Sequence, residues 1–450
     1  MPLKFLLVSA VYSQTPIEVH HPALGFGYVA SSLRETFGDE ITFKVIDSNL
    51  IENIKTFQPD IIGITSVTKN YNVAKEYARI AKQANIPVII GGVHISFLPQ
   101  TLTENMTVGI DGEGERTIID LMSLFVTEGR FEIASLRSIE GIMFRDKGEL
   151  VKTKPRELIK TLDDIPYPAR DLLEIEKSAH MISSRGCPYD CAFCSTSSYT
   201  RHQARYATAE YVADEIGQLY NKYKVDHITI YDDLFAMDPN RVIKMQEILA
   251  AKNLIGKFGI SVNIRSDFIT DSLAEVLHQM NVKVVALGTE SGCQKTLDYL
   301  KSGGLTIENN ANAVRILKKH HIIPYCSFVI GSPDEDMEAV METIKFIKDN
   351  RIYYYAISIL VPFPGTQVWE YALSVGIVDN DMDWSRLDFY IQPDSVKLSK
   401  YLSLKEMTEV RAKMEIRRKR YLIFISTLLA IRHPLRYSKA VIDRIKILRR

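Results

Sequence analysis

The sequence predicts two successive α/β domains, an open Rossmann-like parallel sheet and then a partial (β/α)6 barrel, followed by a helical C-terminal region. Three observations predict this. The first 125 residues alternate short, continuous apolar runs with amphipathic segments, the pattern of a parallel sheet covered on both faces. The alternation lapses, then resumes near residue 179 for six further strand–helix units. A strongly basic segment closes the chain. The length of 450 residues suits two or three domains, and 46% hydrophobic content gives each a core.

In the first domain, 1–130, KFLLVSA, ITFKVID, DIIGITSV, PVIIGG and VGID read as strands. HPALGFGYVASSLRETFG, NIKTFQ, YNVAKEYARIAKQAN and GERTIIDLMSLF carry the helical period. Residues 131–178 read as a hairpin and linker: GIMFRDKGELVKT turns at Asp146-Lys147-Gly148, and LDDIPYPARDLL, with two prolines, connects. In 179–370, HMISSRG, HITIYDD, FGISVNIR, KVVALGTES, PYCSFVIG and AISILVPF read as strands with helices between them. Chemistry in such barrels gathers at the C-terminal ends of the strands. Residues 371–450 form the last region.

The chain balances 55 basic against 55 acidic side chains, but unevenly. Residues 411–450 hold thirteen Lys or Arg and two acids, so this stretch carries +11 and the remainder −11. A basic tail suits an anionic partner such as lipid headgroups or an acidic surface. FLLVSAV after Lys4 is too short for a secretory signal and runs into a strand–loop–helix pattern. YLIFISTLLAI, 421–431, falls short of the about 20 residues that span a bilayer.

Three of the five cysteines fall within eight residues, Cys187, Cys191 and Cys194, just past the first barrel strand. They are too few and too close for a disulfide framework and point to cytosolic metal or redox chemistry. A structural zinc site wants four ligands in short pairs, and Cys293 and Cys326 lie on other strand units. A [4Fe–4S] cluster normally takes four Cys; three leave one iron open to a substrate or cofactor. Inert core cysteines are the remaining alternative.

The spacing C-x3-C-x2-C, with Phe193 before the last Cys, resembles the radical S-adenosylmethionine (SAM) enzymes. The resemblance implies that Cys187, Cys191 and Cys194 hold a [4Fe–4S] cluster. Its open iron would take the amino and carboxylate groups of SAM, whose cleavage releases a 5′-deoxyadenosyl radical. It assigns Phe193 and further strand-end residues to SAM. Asp232 and Asp233 suit the amino group, or cap the helix before Pro239. Glu290 and Ser291 suit the ribose or carboxylate, or form a turn. Gly331 and Ser332 suit adenine, glycine lacking the Cβ that would block approach, or again form a turn. Arg265 suits the SAM carboxylate. PFPGT, 362–366, reads as a structural turn.

A Rossmann-like domain ahead of the barrel narrows the likeness to the cobalamin-binding subgroup. The similar segments are Thr65-Ser66-Val67-Thr68, Gly91-Gly92-Val93-His94, Gly112-Glu113-Gly114-Glu115 and Leu24-Gly25-Phe26-Gly27-Tyr28. All but the last end strands, where open α/β sheets bind ligands. They imply cobalamin contacts at Gly25, Ser66, Thr68, Gly91, Gly92, His94, Gly112, Glu113 and Gly114. The cobalt-ligating pattern Asp-x-His-x-x-Gly fails at Glu18-Val19-His20-His21-Pro22-Ala23, so no His–cobalt bond is assigned. His20, His21 and His94 read as loop histidines, and a scaffold that has lost cobalamin is the alternative.

The resemblance implies methylation of an unactivated carbon of a small-molecule, lipid or peptide substrate. An electron donor such as flavodoxin or ferredoxin is expected, and no nucleic acid. Two alternatives stand beside it: cyclisation, oxidation or rearrangement without methyl transfer, and a non-enzymatic scaffold with a structural cluster. The expected location is the cytoplasm, with peripheral contact at the inner membrane face through the tail. There Val441, Ile442, Ile445 and Leu448 fall on one helical face, although a packed apolar run with solvated charges accounts for the same residues. Tyr353, Tyr354, Tyr355, Trp369, Trp384 and Tyr390 suit a pocket lining or the core.

Overall fold

The computed structural model describes residues 2–11, 23–389 and 395–432. Its first sheet contains β1 Leu3–Ser9, β2 Ile41–Ile46, β3 Ile61–Thr65, β4 Val88–Gly91, β5 Val108–Ile110, β6 Ile142–Asp146 and β7 Glu149–Lys152. The strand order is β2-β1-β3-β4-β5-β6-β7. The first five strands are parallel and the last two antiparallel. The chain leaves β1 toward β2 on one side and returns to β3 on the other. That topological switch point opens a crevice at the strand ends, where Ser9 and Thr65 stand in register.

Alternation along β1 sends successive side chains to opposite faces. Phe5 and Leu7 pack with Phe26, Ala30 and Leu33 of the helix Leu24–Phe37 and with Ile118, Leu121 and Met122 of the helix Glu115–Glu128. Leu6 and Val8 face Tyr71, Ala74 and Ala78 of the helix Tyr71–Gln83. The same rear core takes in Trp369, Trp384, Leu387, Val396 and Leu398. The segment after the barrel therefore folds back on the first sheet and binds the two domains together.

The hairpin at Asp146-Lys147-Gly148 forms, with φ of 51° and 86° at Lys147 and Gly148, the positive pair of a type I′ turn. It extends the first sheet through β5–β6 pairing rather than standing apart in a linker.

The second sheet contains β8 Ser178–Met181, β11 His227–Ile230, β12 Gly259–Ile264, β13 Val282–Glu290, β14 Ile323–Ile330 and β15 Tyr354–Ile359. A short antiparallel pair, β9 Ser184–Arg185 and β10 Arg205–Tyr206, stands between β8 and β11. The six long strands are all parallel, in the order β15-β14-β13-β12-β11-β8. All six predicted barrel strands are present. Their burial alternates: Ile228, Ile230, Ile260, Val262, Cys326, Phe328 and Ile330 are sealed against the outer helices. Thr229, Ser261, Asn263, Ala286, Ser327 and Ser358 on the other face stay partly exposed. Small and polar side chains leave the inner face of the curved sheet open to a ligand.

The helix Leu404–Arg432 covers the edge strand β15. Tyr355 donates its hydroxyl to the Met414 carbonyl at 2.8 Å, and Arg418 Nη1 donates to the Tyr355 carbonyl at 2.8 Å. Tyr421 stacks on Tyr353 with centroids 3.5 Å apart. An edge strand so covered cannot recruit another chain. Among the described residues no helix is long and apolar enough to cross a membrane. His20, His21, Tyr390 and the apolar face from Val441 to Leu448 lie outside the described residues.

Candidate functional site

The C-terminal ends of both sheets face a common cavity of about 580 Å³. One wall is the switch-point end of the first sheet: Ser9, Thr65, Gly91, Gly92 and Gly112–Glu115. The other is Ser184–Gly186, Ser195, Thr196, Tyr199, Tyr231 and Asp233 of the barrel. The cavity runs down the face of the first sheet between Leu7, Gly63, Ile89 and the helix residues Phe26 and Val29. A larger groove of about 1320 Å³ opens at the opposite strand ends, around Leu3, Asp60, Pro87 and Thr107. It lies at the opposite end of the sheet from the strand C-termini and the cysteine loop, so it is not the site.

Cys187, Cys191 and Cys194 are half-buried free thiols on one loop. The Cys194 amide donates to the Cys191 carbonyl at 3.0 Å, and Ala192 is tied to the Leu300 carbonyl at 2.9 Å. Burial pushes the Cys187 thiol up to about 11; a bound metal centre removes such a proton by its own charge. Burial also raises Cys191, and Lys301 opposes it. Among the described residues no group of three His, Cys, Asp or Glu converges as ligands of one metal ion do. Three free thiols on one loop fit a [4Fe–4S] cluster that leaves one iron open.

Of the two adjacent carboxylates ending β11, only Asp233 lines the cavity. Its Oδ2 accepts the Gly186 amide at 3.2 Å and its Oδ1 the Thr196 hydroxyl at 3.2 Å. Asp232 is fully buried and turned away. It accepts the Ser183 amide at 2.6 Å, the Ser183 hydroxyl at 2.5 Å and the Ser184 amide at 3.0 Å, with Arg241 3.7 Å away. It anchors the strand that leads into the cysteine loop, with both oxygens engaged and none of the side chain exposed to the cavity.

Arg265 is buried. Its Nε donates to both oxygens of Asp267 at 3.0 Å, and its guanidinium lies 4.1 Å over the Tyr189 ring inside the cysteine loop. Its Nη1 is buried without a hydrogen-bond partner among the described residues. Such a donor costs about 1–3 kcal/mol unless something accepts from it, and a carboxylate matches it best. Glu290 takes a left-handed φ of 53° and pairs with Lys301 at 2.9 Å. Lys301 in turn lies 5.8 Å from the Phe193 ring centroid.

Ser291, Gly331 and Ser332 are built into the protein. The Ser291 hydroxyl bonds Thr343 at 3.1 Å and accepts the Cys293 amide. The Gly331 and Ser332 amides donate to Glu335 at 2.5 and 3.2 Å. A Cβ on Gly331 would stand 2.8 Å from the sulfur of Met407. On that side Gly331 packs against Met407 of the C-terminal helix.

In the first domain Gly25, Gly91, Gly92, Gly112, Glu113 and Gly114 line the cavity, whereas Ser66, Thr68 and His94 do not. At Gly25 and Gly112 a Cβ would meet nothing within 4 Å, and at Gly114 only Val29 at 3.9 Å, so these positions leave room for a bulky group. Ser66 donates to the Val67 carbonyl at 2.9 Å. His94 points to the rear core: it stacks on Tyr71 at 3.8 Å, meets Trp384 edge-on at 4.6 Å and bonds Thr101 at 3.3 Å. Burial pushes its imidazole down to about 3.

No sequence pattern marks Arg185, Tyr199 or Lys301 as functional. Arg185 joins the domains through Glu113 at 3.1 Å and Glu115 at 2.6 Å. Arg205 grips Glu113 at 2.9 Å, and Tyr199 donates to the Gly112 carbonyl at 2.8 Å. A basic residue directly before the Gly186-Cys187 turn was the only hint.

Comparison with known proteins bears on this arrangement. Residues 181–347 match the radical SAM superfamily and residues 15–122 the B12 binding domain. An uncharacterised methyltransferase of Pyrococcus horikoshii is 31% identical over 415 residues, 88% of this chain and 87% of the relative. An anaerobic magnesium-protoporphyrin IX monomethyl ester cyclase of Rubrivivax gelatinosus is 30% identical over 70% of this chain and 58% of its own length. The structure of the radical SAM methyltransferase TsrM from Kitasatospora setae, with cobalamin and a [4Fe–4S] cluster bound, superposes with a TM-score of 0.68. It covers 84% of this chain and 76% of that one at 17% identity.

Proposed function

The chain belongs to the radical SAM superfamily, its barrel joined to a B12 binding domain, and on that premise we propose that it methylates an unactivated carbon of a small molecule held between the two sheets. The observation that carries this reading is the shared cavity, walled by first-domain glycines on one side and by the cysteine loop and β11 end on the other. The residues present fit the groups that the family uses: three free thiols on one loop, an unpaired guanidinium nitrogen at Arg265, and open space at Gly25, Gly112 and Gly114. When bound, the cluster with SAM supplies a 5′-deoxyadenosyl radical, and cobalamin supplies the methyl group.

The chain's own part is placement. Cys187, Cys191 and Cys194 hold the cluster. Arg265 receives the SAM carboxylate on Nη1, and Asp233 receives the amino group. The glycine loops and the apolar trough between Leu7 and Val29 would hold the cobalamin. Tyr231, exposed at the β11 end, lines the same cavity. Holding the partners in one enclosed space supplies much of the rate. An electron donor such as flavodoxin or ferredoxin serves the cluster.

The reading is tested by anaerobic turnover with reductant, SAM and candidate acceptors, followed by product mass. A gain of one CH2 supports methyl transfer. A product without that gain supports the second reading, ring closure or rearrangement, which the likeness to the cyclase favours.

We also propose that the basic C-terminal segment touches an anionic membrane surface. Exposed Lys419 and Arg420 precede Phe424, which is 59% exposed beyond the last stacking contact at Tyr421, and seven further Lys or Arg follow in the sequence. Flotation with anionic liposomes, lost at high salt and lost in a chain ended after Tyr421, is the expected result.

A further inference from the structure

Arg185 sits two residues before the first cluster cysteine and reaches across to the other domain. Its guanidinium forks between two carboxylates, Nη1 to Glu113 Oε1 at 3.1 Å and Nη2 to Glu115 Oε1 at 2.6 Å. It also lies 5.3 Å from the Tyr28 ring centroid. The arrangement is fixed from both sides. On the barrel side, Arg185 pairs with Arg205 across β9–β10, and the next amide, Gly186, donates to Asp233 at 3.2 Å. On the first-domain side, Glu113 also accepts from Arg205 at 2.9 Å and from the Ile159 amide at 3.0 Å. Glu115 opens the helix Glu115–Glu128. Gly112, Glu113, Gly114, Arg185, Gly186 and Asp233 all line the cavity.

We infer that Arg185 is a positioning residue that fixes the separation and orientation of the cluster loop relative to the Gly112–Glu115 loop, and so of the two cofactors. The inference rests on the cofactor reading above. The planar fork of Arg spans two carboxylates in one plane, which the single ammonium of Lys does not reproduce. Both partners are largely buried (side chains of Arg185 and Glu113 16% and 10% exposed), so the contact is less screened than a surface pair. Breaking it leaves Glu113 to Arg205 and the Ile159 amide, both outside the cysteine loop, and frees that loop to shift.

The experiment uses the full chain, reconstituted anaerobically with iron, sulfide and hydroxocobalamin and reduced to the paramagnetic cobalt(II) and reduced-cluster forms. Pulsed EPR then reads the cobalt–cluster dipolar interaction without substrate or turnover. Arg185→Ala is expected to bind both cofactors with a shifted or broadened cobalt–cluster distance distribution. Arg185→Lys is expected to fall between that variant and the wild type. Arg34→Ala, which breaks an exposed pair with Asp171, controls for charge and should match the wild type. If Arg185→Ala does not fold, Glu115→Gln removes one arm of the fork and is expected to shift the distribution in the same direction by less. A distribution identical to wild type in the loaded Arg185 variant, or in Glu115→Gln, overturns the inference. A wild-type chain that takes up cluster but no cobalamin overturns the underlying reading instead, and the inference falls with it.

Discussion

The ammonium of Lys301 stands 2.9 Å from the carboxylate of Glu290, and their side chains, only 10% and 6% exposed, lie beside the cysteine loop. The Leu300 carbonyl, one residue earlier, accepts the Ala192 amide between two cluster cysteines. A cation fixed there stabilises the more negative, reduced state of a cluster, and its partner carboxylate tempers the effect. Lys301→Met is expected to make the cluster harder to reduce, seen as a more negative midpoint in an EPR-monitored redox titration. Glu290→Gln is expected to move it the other way. Equal midpoints in all three proteins would remove Lys301 from the cluster's surroundings.

Asp232 and Asp233 are adjacent but do different work, so their amide variants should separate. Asp232→Asn turns an acceptor of three donors into a mismatched group in a sealed site, with Arg241 left unbalanced. Breaking a buried pair costs about 3–5 kcal/mol, so the expected result is a lowered Tm and poor cluster loading. Asp233→Asn should keep the wild-type Tm within a few degrees, load the cluster, and bind SAM at least tenfold more weakly, read by quenching or equilibrium dialysis.

His94 sets an acid limit on stability. Its folded value is depressed from the ordinary 6.5 to about 3 by burial, with Lys75 adding to it. The unfolded chain therefore binds the proton first. The stabilisation is whole above pH 6.5 and is lost as pH falls toward about 3, by on the order of a few kcal/mol at most. Urea unfolding across that range should show a steeper acid loss in the wild type than in His94→Gln, whatever the variant's offset at neutral pH. Parallel curves would refute the assignment.

The long C-terminal helix is part of the barrel up to Tyr421. Met407 abuts Gly331, Met414 is buried, and Arg418 satisfies the carbonyl of Tyr355. A chain ended after Met407 loses Met414, a side chain whose burial contributes about 1.5–3 kcal/mol, and uncovers β15. It should melt well below the wild type, whereas a chain ended after Tyr421 should match it. Thermal melts of the two truncations decide this.

The strands were legible because strands buried on both faces must read as unbroken apolar runs, as KFLLVSA and PVIIGG do. The cysteine loop was legible because its chemistry is local in sequence. What stayed hidden was direction and distance. Asp232 and Asp233 look alike as letters, and only the pleat decides which one faces the cavity. His94 follows Gly92 by two residues, and the short helix Val93–Phe97 swings it to the rear core. Arg185 finds Glu113 and Glu115 some seventy residues earlier in the chain, a pairing that no local pattern announces. The hairpin was legible as a hairpin, but its place at the edge of the first sheet depends on pairing with β5.

The most direct measurement of the central claim is anaerobic reconstitution of the full chain, followed by optical and EPR spectra and by chromatography of SAM products under reductant. The account predicts one [4Fe–4S] cluster and one corrin per chain, with 5′-deoxyadenosine formed by the wild type and absent in Cys187→Ala, Cys191→Ala and Cys194→Ala, while Cys293→Ser and Cys326→Ser retain it. Undiminished 5′-deoxyadenosine formation in Cys191→Ala, or a wild-type chain that binds neither cluster nor corrin, would contradict it.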